Sequence, residues 1–210
     1  MSEIETAALP DEPRQAARID WSYSGAPDPM AGTGATLSEQ LVFWIVGIAG
    51  AGLMLIIGRG GWVLWNWWQT GLAALIAFDL IGGAAGAALN SSKRFYFSTV
   101  KPDERGPLKY LKSGYYLPII SVHPLLVYLI YSTPEMWTGV ALYFIVGAVA
   151  ILVRKAPLYL ARPLAVTAVM TAIVVNTYFI PVPPGFEWML PVLVLKMVLG
   201  HAVREEPYRP

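Results

Sequence analysis

The stretch "LAALIAFDLIGGAAGAALN" (72–90) decides the fold class, because it is long and apolar enough for lipid and yet carries an acid, Asp79, at its middle. Around it the composition is equally lopsided. Of 210 residues, 56% are hydrophobic and 14% charged, and mean hydropathy is +0.52. A water-soluble domain carries roughly 25% charged residues to keep its surface wet. The chain therefore reads as an all-α, polytopic membrane protein. With no cysteine it has no disulfide framework and no thiolate ligand or nucleophile.

Six apolar segments follow one another: 39–57, 67–89, 115–131, 137–153, 162–180 and 188–203. Each reaches or approaches the ~20 residues that a helix needs to cross ~30 Å of hydrocarbon. A segment alone in lipid must satisfy its own backbone hydrogen bonds, which favours helices; nothing alternates as a barrel strand does. The expected organisation is a tail over 1–36, a six-helix domain over 37–203 and a short tail over 204–210. The first tail is rich in Pro, Gly, Ala and acids and lacks the apolar core of a signal peptide, which predicts a disordered cytoplasmic segment.

The loops orient the bundle. Six crossings gather Arg14, Arg18, Lys93, Arg94, Lys101, Arg105, Lys109, Lys112, Arg154, Lys155, Arg204 and Arg209 on one side, with Arg162 at its rim. The other side has Arg59 alone. By the positive-inside rule both termini are cytoplasmic, in a plasma membrane of the bacterial inner-membrane kind. Aromatics at 61–68, Trp137 and Trp188 mark the outer interface, and Phe43, Trp44, Tyr110, Tyr115 and Tyr116 the inner one. The basic loop "GPLKYLKSGYY" (106–116) reads as a solvated, topology-setting segment touching anionic lipid head groups, or as a short interfacial helix.

Asp79 heads a stripe of Gly82, Gly83, Gly86 and Asn90, which steps of three and four place on one helical face. Gly82 and Gly86 form a GxxxG step that admits a neighbouring backbone, so Asp79 should point into the bundle. A carboxylate at mid-membrane costs on the order of 2.5–3.5 kcal/mol and needs a partner, a proton or water. Lys196 in "PVLVLKMVLG" and His123 in "PIISVHPLLVYL" are the candidates. At 1.5 Å per residue their depths come out at ~15 Å for Asp79, ~12 Å for His123 and ~10 Å for Lys196, equal within boundary error. An Asp79–His123–Lys196 cluster is expected, as a functional site or as a staple between helices. His201, five residues past Lys196, falls about 140° round an α-helix and reads as an inner-interface residue. Arg162-Pro163 reads as the start of the fifth helix, and Asn176 as an interhelical hydrogen bond.

No phosphate loop, HExxH, EF-hand or GxSxG is present, so the sequence points to no metal, no cofactor and no nucleic acid. Three functions compete. The first is a small ion- or proton-linked transporter or channel using Asp79, His123 and Lys196, since intramembrane ionisable groups are functional by default and histidine is the side-chain type that titrates near neutrality. The second is an enzyme acting on an anionic lipid or phosphate at a cytoplasmic rim of Asn90, Lys93, Arg94, Arg154, Lys155, Arg162, His201 and Arg204. The third is an assembly subunit, in a homo-oligomer or larger membrane complex, docking through Gly47, Gly50, Gly52 and the glycine stripe. Transport is favoured.

Overall fold

The computed structural model describes residues 18–25, 28–100, 106, 110, 112, 119 and 121–209, and among them the regular secondary structure is helical apart from one pair of two-residue strands. The helices are α1 (Leu37–Arg59), α2 (Trp67–Ala88), α3 (Asn90–Phe97), α4 (His123–Tyr131), α5 (Met136–Lys155), α6 (Leu158–Tyr178) and α7 (Met189–Ala202). Among the described residues four helical stretches are long and apolar enough to cross a membrane: α1, α2, Thr133–Lys155 (a 3-10 turn continued by α5) and α6; α7 is apolar but shorter. The third apolar segment of the sequence is helical over His123–Tyr131, while 115–118 and 120 lie outside the described residues. So do 107–109, 111 and 113–116 of the interfacial-helix candidate, and 1–17 of the first tail.

Local chemistry sets the helix ends. Thr36 and Glu39 form a reciprocal capping box on α1, and Asn66 and Gln69 another on α2. Helix α6 begins at Leu158, just after Pro157, so Arg162-Pro163 lies inside its first turns and not at its start as the sequence suggested. Pro163 is the sixth residue of the helix, past the four N–H groups that lack an intrahelical acceptor, so its missing N–H removes the i→i−4 bond to the Tyr159 carbonyl.

Helices α1 and α2 pack closely over their length. A Cβ on Gly82 would lie 2.8 Å from the Gly47 Cα, and one on Gly50 would lie 3.2 Å from the Ala77 backbone oxygen. Gly47 and Gly50 are thus spent inside the chain, which corrects their reading as a docking surface; Gly52 alone of the three faces open space. At one end of the bundle Trp65, Tyr131, Phe186 and Trp188 pack ring on ring.

At the other end the segment 28–36, expected within a loose tail, is tied down. Ala31 O accepts from the Ser91 hydroxyl at 2.5 Å, and Pro29 O from the Tyr96 hydroxyl at 2.6 Å. Arg18–Ile19 pairs antiparallel with Tyr208–Arg209, joining both predicted tails. Nothing in the local composition signals this order, because the partners are supplied from sixty and more residues away.

Candidate functional site

Two helices leave α-winding at the polar residues. Helix α2 turns π-helical over Phe78–Gly82, which includes Asp79, and α7 over Leu195–Ala202, which includes Lys196 and His201. π-Turns are rare and cluster at functional sites. The structure brings Asp79, His123 and Lys196 together. A single carboxylate oxygen, Asp79 Oδ2, accepts from Lys196 Nζ at 2.7 Å and from His123 Nε2 at 2.8 Å. Lys196 Nζ also donates to the Asp79 backbone oxygen at 3.0 Å. His123 Nδ1 lies 3.3 Å from the Ser121 hydroxyl, so with Nε2 donating to Asp79 the ring is anchored on both sides.

The glycine stripe divides between two neighbours. Gly82 and Gly86 pack on the α1 side, where a Cβ on Gly86 would lie 3.0 Å from the Phe43 ring. Gly83 faces α7, and a Cβ there would lie 2.6 Å from Lys196 Cε and 2.8 Å from its Nζ. The absent side chain at Gly83 is what lets the ammonium reach Asp79.

His201 corrects the expectation that it sits round the helix at the interface. It is buried, 8% exposed, and lines the same cavity as Lys196. The physical reason is the winding. In a π-helix the hydrogen bonds run i→i+5, so residues five apart stand about one turn above each other, where an α-helix would separate them by about 140°. The cavity measures about 440 Å³; besides the cluster its walls include Met30, Phe43, Phe78, Tyr96, Val122 and Met197. Its size is that of small-molecule pockets, ~300–1,000 Å³. Sequence reasoning missed Met30, Tyr96 and Ser121 here, since no spacing links residue 30 to residue 201. Burial pushes the Tyr96 hydroxyl well above the usual phenol range, which keeps it a donor, to Pro29 O.

The other rim residues are engaged within the chain. Lys93 and Arg94 are almost wholly buried, at 2% and 1% exposure. Lys93 Nζ donates to Gly200 O at 2.5 Å and Val203 O at 3.0 Å, carbonyls at the C-terminal end of α7, and sits 3.4 Å from Glu205. A cation there also answers the helix dipole. Arg94 pairs with Glu39 at 3.7 Å, Arg162 with Glu205 at 3.2 Å, and Asn90 Oδ1 accepts from Tyr208 N. Arg204 lies over the Trp21 ring. A rim whose cations already hold carboxylates and carbonyls gives weak support to an anion-processing enzyme. Asn176 Nδ2 donates to Glu187 O at 2.6 Å, at the end of the bundle away from the cluster. Among the described residues no group of three or more His, Asp or Glu side chains is placed to hold a metal ion.

Compared with family models, curated proteins and solved structures, the chain matches none.

Proposed function

We propose that this chain is a six-helix plasma-membrane protein, both termini cytoplasmic, that moves protons or a proton-linked solute through the Asp79–His123–Lys196 cluster. The observation that carries the reading is the shared oxygen: Lys196 and His123 compete for Asp79 Oδ2 on the wall of a cavity. An ionised carboxylate in an apolar bundle needs such partners. Its side chain is 53% exposed and lines that cavity.

In the resting arrangement Lys196 neutralises Asp79 and neutral His123 donates from Nε2. A proton arriving at His123 Nδ1 turns the Ser121 hydroxyl from donor to acceptor and leaves an imidazolium beside the carboxylate, which weakens the hold on Lys196 by sharing the anion. Release of that proton restores the pair. The cluster is thereby a bistable element that protonation biases, as proton-linked transport requires. Cytoplasmic placement of the basic end, which gathers Lys93, Arg94, Arg154 and Arg162, follows the positive-inside rule and puts the exposed Arg162 at the level of anionic head groups.

The test is proton and cation flux in sealed proteoliposomes under an imposed potential, wild type beside Asp79→Asn. Flux in the wild type that vanishes in a folded variant is expected. Equal flux in both would refute the relay.

A further inference from the structure

The cavity holds more unsatisfied polarity than the proton cluster uses. His201 Nδ1 is buried and has no hydrogen-bond partner among the described residues, although its ring stacks edge-on against Tyr96 at 4.8 Å. Buried polar atoms are nearly always paired, so this exception needs a reason. Asp79 spends Oδ2 on Lys196 and His123, and its Oδ1 receives no hydrogen bond from any described residue. Both residues line the one cavity.

Charge then narrows the occupant. Asp79 and Lys196 cancel, so a charged ligand would bring an uncompensated charge into an apolar bundle. Most of the remaining wall, including Phe43, Phe78, Val122, Met30 and Met197, is apolar or aromatic and matches a flat lipophilic body, with Ser121 and Tyr96 as further polar lining. A hydroxyl both donates and accepts, so it can pair with the His201 ring in either tautomer or donate to Asp79 Oδ1.

We propose that this cavity is a binding site for an uncharged lipophilic molecule bearing a hydroxyl, of the phenol or aromatic-alcohol class, recognised by His201 and Asp79. The proposal rests on the cavity alone and stands whether or not the protein moves protons. Such a ligand enters from the bilayer, where it partitions, and its hydroxyl finds in the cavity the polar partners that lipid lacks.

The experiment is equilibrium binding of 2-naphthol to the full chain in nanodiscs, with protein-free nanodiscs subtracted, beside 2-methoxynaphthalene, which has the same body and no donor. Saturable 2-naphthol binding is expected, with the methoxy compound at least about tenfold weaker, the ratio for a hydrogen bond lost at a buried polar group. His201→Phe should reduce that discrimination, leaving the part that Asp79 supplies. Equal affinity for the two compounds, or no saturable 2-naphthol binding to the wild type, overturns the proposal, and neither result needs the variant to fold. Binding is read without a gradient, so failure of the flux assay and failure of the binding assay are distinguishable.

Discussion

At the scale of single residues, Gly83 governs the cluster as much as its charged members do. Replacing it with Ala puts a methyl 2.6 Å from Lys196 Cε, so the lysine must leave Asp79 or the helices must part. Gly83→Ala should lower stability by about 1–3 kcal/mol, the range for overpacking a close contact. Gly71→Ala, on the same helix with nothing within 4 Å, should be neutral or gain up to about 1 kcal/mol from helix propensity. Thermal unfolding of both variants in one mild detergent checks the contrast, and a Gly83→Ala protein as stable as wild type would remove the steric account. Asp79→Asn keeps the shape of the side chain and removes its charge, leaving Lys196 without a counter-ion. It should destabilise the protein as well as stop flux, since a buried charge stripped of its partner is costly.

At the scale of elements, the two π-helical turns and the buried Lys93 set the site. α-Winding over Leu195–Ala202 would carry His201 away from Lys196; π-winding places both on the cavity. Lys93 holds the end of that turn through Gly200 O and Val203 O. Lys93→Met fills similar space and leaves both carbonyls without that donor, at an expected cost of about 1–3 kcal/mol. Burial also lowers the Lys93 pKa below the ordinary lysine range, with Glu205 opposing in part. The unfolded chain then binds more protons than the folded one between the folded and unfolded pKa values. Stability should therefore rise with pH through that alkaline window and lose this increment below it. Unfolding measured across pH 7 to 11 in wild type and Lys93→Met reads the difference, and an identical slope in both would rule out Lys93 as its source.

At the scale of the whole molecule, topology is open to direct test because the chain has no cysteine, so one introduced thiol reports alone. Trp62 and Tyr159 are both exposed and lie near opposite ends of the bundle. With six crossings, Trp62→Cys reacts with an impermeant maleimide on intact cells, and Tyr159→Cys reacts only after permeabilisation. Labelling of both from outside would break the six-helix reading. The sequence by itself pointed to a membrane-compatible helical chain: apolar runs of membrane length and an acid that cannot be left alone in lipid are both one-dimensional signals. It also named Asp79, His123 and Lys196, because a buried charge demands a partner and the chain offers few. Only the tertiary structure decided that one oxygen serves both partners, that Gly83 rather than Gly82 admits the lysine, and that Gly47 and Gly50 are consumed by α2. It alone brought His201 to the cavity and folded residues 28–36 onto Ser91 and Tyr96. The physical reason is that helical winding and long-range pairing depend on neighbours that meet only in three dimensions, and spacing along the chain carries no record of them.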